Sequence, residues 1–196
     1  MTYNPDELHH IARAASNRQK GVAVLEDIQK ENAYKILQLC DTFGIQKVYF
    51  VFEKVEEYDP AKIAPKDDFY NAGRYLDFEI HTSIGDLLDQ LKGQEYKIVV
   101  PIFGKGGTDI YSSTLKEEKI AVIFGSEERG PSDRALGYAD LKISIKRAGV
   151  TADLDNCIIA AIFLYELTRQ RALYGMDEYL LPTEKEDEIR RRFSNQ

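Results

Sequence analysis

The chain has 196 residues, 43% of them hydrophobic and 30% charged, with a net charge of −7. That length suits a single domain, 1–196, with a proper core, and no apolar run approaches the ~20 residues that span a membrane. The acidic balance counts against nucleic acid as a partner by composition alone, although a local basic patch can serve in an acidic protein.

The first seven residues lack the basic and apolar regions of a signal peptide. Residues 5–19 pattern as an amphipathic helix, with Leu8, Ile11, Ala12 and Ala15 on one face, and make residues 1–20 an N-terminal extension. Val22–Glu26 reads as a short buried strand, and a helix follows over Asn32–Phe43 with Gly44 as its stop. Lys47–Glu53 is an apolar strand, and 56–74 fades into a loop with one short helix. Tyr75–His81 alternates like a strand, and Ser83 caps a helix running to Lys92. Tyr96–Phe103 is another buried strand, ending in a Gly-rich loop at 104–109. That loop has neither P-loop nor dinucleotide-binding spacing and reads as a plain mobile loop. Strands alternating with helices at this spacing predict parallel strands joined by crossover helices.

The most informative stretch runs from Ile120 to Arg171. A buried strand, 120–124, breaks at Gly125-Ser126-Glu127-Glu128-Arg129-Gly130-Pro131, where a turn is required. Pro131 opens a short helix with Ser132 and Asp133 in its first turn. A second strand, 141–145, leads through a Gly149 turn to an acidic helix start at 153–156. The helix from about Leu154 to Ala172 is apolar on more than one face. Two such loops at one sheet edge frame a ligand pocket. The tail, 176–196, is charged, and its spacing predicts a self-paired solvated helix with i,i+4 pairs from Glu186, Asp187 and Glu188 to Arg190, Arg191 and Arg192. Cys40 and Cys157 lie in apolar helical patterns and read as reduced residues of a cytosolic protein. His9, His10 and His81 are too scattered for a metal site.

Three motifs in this order resemble the SpoU/TrmH family of RNA 2′-O-ribose methyltransferases, within the SPOUT superfamily. Gly125, Glu127, Gly130 and Ser132 match the family's Gly-x-Glu-x-x-Gly-x-Ser. Ile145, Gly149, Leu154, Glu166, Arg169, Gln170 and Arg171 fall on the third motif without a gap. Asn32 to Gly44 stands at the first motif, and the resemblance covers about residues 7 to 181.

The resemblance implies an α/β fold, a parallel sheet flanked by helices, with a C-terminal trefoil knot. It further implies a deep, mostly apolar pocket at 101–104, 125–130 and 145–156, and a homodimer with each site near the partner's first motif. S-adenosylmethionine is then the cofactor and RNA, tRNA or rRNA, the partner, with no membrane and no metal. The cofactor-binding residues carried over are Pro101, Ile102, Gly125, Ser126, Glu127, Ile145 and Leu154. The catalytic candidates are Asn32, Gln38, Glu127, Asp153 and Asp155.

Three of those candidates depart from the family. Gln38 stands at its arginine, Asp153 at its serine and Asp155 at its asparagine, while Lys146 and Arg147 replace its Pro-Met. Glutamine carries no charge and no accessible proton-transfer pKa. An ionised aspartate can take a proton instead, or it can simply favour a helix N-terminus. Two rivals stand beside the enzyme reading: a degenerate dimer that binds RNA or protein without methyl transfer, and a methyltransferase with another acceptor.

Overall fold

The computed structural model describes residues 5–65, 72–102, 106–146, 148–149 and 154–194. Its strands are β1 (Gln19–Glu26), β2 (Ile45–Val51), β3 (Asp77–His81), β4 (Lys97–Ile102), β5 (Thr108–Asp109), β6 (Ile120–Phe124) and β7 (Leu141–Ser144). They form one sheet in the order β3-β2-β1-β6-β4-β7-β5, parallel throughout. The helices are α1 (Pro5–Ser16), α2 (Lys30–Thr42), α3 (Ile84–Gly93), α4 (Asp133–Tyr138), α5 (Asn156–Tyr174) and α6 (Thr183–Ser194).

Period-2 alternation sends successive strand residues to opposite faces, and here both faces are apolar. Ala23 and Leu25 of β1 join Val122 and Phe124 of β6 under α2 and α5. Val22 and Val24 join Ala121 and Ile123 under α3. The helices answer with Ile36, Leu37, Phe163 and Leu164 on the first face and Ile84, Leu87, Leu88 and Leu91 on the second. Each such side chain contributes about 1.5–3 kcal/mol when fully buried. Gly44 ends α2 with φ +74, and a Cβ there would stand 2.3 Å from the Asn17 carbonyl oxygen. Only glycine fits that turn.

The end of α5 turns polar groups inward for a reason. The segment between β5 and β6 has little regular structure, so its backbone groups need partners from elsewhere. Gln170 Oε1 accepts from the Leu115 N–H at 2.8 Å, and its amide donates to the Ser113 carbonyl at 3.0 Å. Arg171, fully buried, donates to the Glu117 and Glu118 carbonyls at 3.2 and 3.0 Å and to Gln19 Oε1 at 3.0 Å. Burial brings its pKa down to about 10, and its guanidinium lies 4.9 Å over the Tyr179 ring.

Several expectations need correction. Thr108–Asp109 forms a short edge strand on β7 where a plain loop is expected; two residues are too few to leave a periodic signal. Ser132 is the N-cap of α4, not its first turn, and accepts from the Ala135 N–H. The self-paired ladder on α6 forms its Glu186–Arg190 rung, while Arg191 donates to the Asp187 carbonyl and Arg192 reaches Asp77 of β3. Ile189, buried, docks α6 beside Ala15 of α1. That apolar anchor turns the helix's charges toward the sheet edge, which pair counting along one helix does not register. Among the described residues no helix is long and apolar enough to cross a membrane. The segments where the knot is expected, 101–104 and 145–156, lie partly outside the described residues.

Candidate active site

The pieces of the site meet at the carboxyl ends of β1, β4, β6 and β7, the edge where open parallel sheets place ligands. β6 runs straight into Gly125, where a Cβ would stand 2.2 Å from the Pro131 nitrogen. Without that Cβ the loop folds back on itself, and the Gly130 N–H donates to the Ser126 carbonyl at 2.8 Å. Ser126 Oγ accepts from the Glu128 N–H at 3.3 Å. These hydrogen bonds close the loop into a bracket.

Glu127 leaves that bracket and crosses to the start of α2. Its Oε1 accepts from Asn32 Nδ2 at 3.0 Å, and its Oε2 accepts from the Gln29 N–H at 3.2 Å. Both carboxylate oxygens are thus committed to one turn of chain. On the other side, Asp155 caps α5 by accepting from the Cys157 N–H at 3.2 Å. Asn156 Nδ2 donates to the Gly125 carbonyl at 2.7 Å, which ties the head of α5 to the end of β6. The Cys157 thiol is pushed up by burial and by Asp155 beside it, so it stays protonated at neutral pH.

These groups enclose a cleft of ≈620 Å³, lined by Asn32, Ile102, residues 126–131 and residues 154–156. Of the expected cofactor residues, Ile102, Ser126, Glu127 and Leu154 line it. Pro101 is buried within β4 opposite Ile143, and Gly125 lies beneath the loop. Ile145 packs against the core under α5. The catalytic candidates Asn32, Glu127 and Asp155 come together. Gln38, further along α2, is exposed, donates to the Tyr34 hydroxyl at 3.0 Å and does not line the cleft. Asp153 lies outside the described residues.

Apolar surface exceeds polar in the lining, as expected, although most of the lining residues are polar. Ile102, Pro131 and Leu154 face Asn32, Ser126, Glu127, Glu128, Arg129, Asp155 and Asn156. Arg129 and Asn156 fall within the expected pocket segments 125–130 and 145–156, but sequence reasoning gave neither a role. Asn156 had a signal, a polar residue in the first turn of an otherwise apolar helix next to the acidic start. Arg129 had one too, a cation inside a Gly-bounded loop that the motif leaves unspecified.

The sequence model of the SpoU rRNA Methylase family matches residues 21–165, well over half of the chain. The chain belongs to the SpoU rRNA methylase family. A relative, the tRNA (guanosine(18)-2′-O)-methyltransferase of Escherichia coli (strain K12), is 26% identical over 175 residues, 88% of this chain and 74% of that one. The crystal structure of the A. aeolicus TrmH/SpoU tRNA modifying enzyme superposes with a TM-score of 0.81 at 20% identity, over 97% of this chain and 95% of that one. The SpoU methyltransferase AviRb from Streptomyces viridochromogenes, in complex with the cofactor AdoMet, gives 0.64 at 21% identity, over 79% and 59%. These two structures show the fold.

Glu26 of this SpoU chain backs the bracket, accepting from the Ser132 N–H at 3.0 Å while only 3% exposed. Burial raises its pKa above the ordinary 4.5, Ser132 opposes that, and Asp27 and Glu53 add to it. The folded state therefore holds this proton more tightly than the unfolded one. Its contribution to stability is full below about 4.5 and is lost as pH rises through the folded value. Glu26→Gln keeps an acceptor for Ser132 and removes the titration. Urea unfolding of both proteins across this range should show the variant gaining stability relative to the parent as pH rises. A difference that is flat with pH would contradict this.

Proposed function

We propose that this SpoU chain transfers a methyl group from S-adenosylmethionine to a ribose 2′-OH of tRNA or rRNA in the cytosol. The observation that carries the reading is Glu127, held at both oxygens between Asn32 and Gln29 at the mouth of the cleft. The cleft suits the cofactor. Its ≈620 Å³ falls within the ~300–1,000 Å³ usual for small-molecule sites. Ile102 and Leu154 offer apolar walls, the 126–131 bracket offers backbone groups, and Glu127, Glu128 and Asp155 offer negative charge toward a cation. When bound, S-adenosylmethionine supplies an electrophilic methyl group on a positively charged sulfur.

The chain's own groups then orient the acceptor and take its proton. Asn32 fixes Glu127, and Asn156 fixes the Gly125 carbonyl, so the bracket does not reorganise on binding. Asp155 accepts from the Cys157 N–H and lies against the Cys157 thiol, and its carboxylate takes the 2′-OH proton as general base. Gln38 carries no charge and no accessible proton-transfer pKa, so it is not the base, and it lies outside the cleft formed by its own chain. A trefoil knot around the cleft is proposed on the family resemblance alone.

The test is methyl transfer to bulk tRNA and rRNA, with digestion and mass detection of 2′-O-methylated nucleosides. Asp155→Asn preserves the helix cap, since asparagine caps as well as aspartate. It should cut transfer ~10²–10⁴-fold with little change in cofactor affinity. Transfer equal to the parent's would remove Asp155 as the base. Absence of any methylated nucleoside would favour the degenerate relative.

We also infer a homodimer formed through α5. Ile158, Tyr165, Leu173 and Tyr174 are 45%, 57%, 71% and 54% exposed along it, and Tyr165 meets Phe43 edge-on at 6.4 Å. Exposed large apolar side chains gathered along one helix in this way mark an interaction surface. Sedimentation at micromolar concentration should give a dimer, and Tyr165→Arg should give a monomer. A monomeric parent would refute the pairing.

A further inference from the structure

We propose that Arg129 grips an RNA phosphate at the mouth of the cleft; this rests on the methyltransferase reading and supplies its substrate contact. The cleft carries Glu127, Glu128 and Asp155, and the chain's net charge is −7. Carboxylates repel a nucleic-acid backbone, so an RNA-modifying cleft of this composition needs a local cation. Among the described residues that line the cleft, Arg129 is the one cationic side chain.

Its surroundings hold it in place without consuming it. Arg129 Nη2 lies 3.4 Å from Asp27 Oδ2, with the arginine side chain 47% exposed and the aspartate 7%. Asp27 cannot swing away, because its Oδ1 accepts from the Glu53 and Lys54 N–H groups at 2.8 and 2.9 Å. Its own backbone sits at φ +53 at the end of β1, a conformation that aspartate tolerates better than most residues. The contact to Asp27 therefore anchors one edge of the guanidinium. The planar fork presents further N–H donors to solvent, the geometry that meets phosphate oxygens in pairs. A second cavity of ≈200 Å³, lined in part by Glu26, Asp27 and Glu53, shares Arg129 with the cleft. The guanidinium thus stands between an acidic backing and the open site, which fixes the side chain and leaves its outer edge as the positive feature that a ligand meets.

The experiment measures tRNA binding to the full chain by fluorescence anisotropy at several salt concentrations, for the parent, Arg129→Ala and Arg129→Lys. Cofactor binding and methyl transfer are followed in parallel. Each phosphate contact contributes ~0.7–0.9 to the slope of log affinity against log salt. Arg129→Ala should lower that slope by about this amount and raise KM for tRNA, whatever its effect on cofactor affinity. Arg129→Lys should keep the slope, because the charge remains, yet bind more weakly than the parent at every salt. An Arg129→Ala slope equal to the parent's overturns the proposal, whether or not methyl transfer is seen. A lowered slope with no transfer from the parent supports the phosphate contact and overturns the enzyme reading instead. A parent that does not bind tRNA at all overturns both.

Discussion

The Asn32–Glu127 hydrogen bond is the contact on which the rest of the site depends. It joins the first turn of α2 to the loop after β6 at 3.0 Å, across 95 positions of sequence. β1 and β6 are adjacent and parallel, so their carboxyl ends deliver α2 and the Gly125 bracket to the same edge. The Gln29 N–H occupies the second oxygen of Glu127. With both oxygens fixed, that wall of the cleft is set before any ligand arrives. Buried or half-buried polar groups satisfied in this way resist reorganisation, which is the requirement for a preorganised site.

Charge explains how an acidic chain can serve a nucleic-acid chemistry. Glu127 and Asp155 face the cleft, where a positively charged cofactor is favoured and a phosphate is not. Arg129, braced by Asp27, restores one positive point at the mouth. Carboxylates around the site also have structural work in the folded chain. Asp155 caps α5, and Glu26 holds the N–H of Ser132. Capping and chemistry are not exclusive here, because an ionised carboxylate has more acceptor sites than a cap uses.

Much of this was legible in the sequence for physical reasons. Strand and helix periodicities show wherever an element buries a face, so β1, β2, β4, β6, α2, α3 and α5 are readable within a few residues. Gly125 and Gly44 are readable because only glycine fits such turns. The unread parts depend on distant partners. β5 is too short for a pattern and exists because β7 offers it an edge. Arg192 belongs to Asp77 and not to its own helix. The exposure of Gln38, and its separation from the cleft, follows from how α2 packs on α5. The polar residues of the cleft lining have the same origin, because which side chains turn inward is decided by loops such as 126–131 and not by periodicity.

A double-mutant cycle on cofactor binding tests the central claim most directly. S-adenosylmethionine is titrated calorimetrically into the parent, Asn32→Ala, Glu127→Ala and the double variant. If the Asn32–Glu127 bond builds the cleft wall as one unit, each single change loses most of what the pair contributes. The double variant then binds about as well as the weaker single one, with a coupling of roughly 0.5–3 kcal/mol. Losses that simply add would show that the two residues act independently, and the account of the site built on their contact would be wrong.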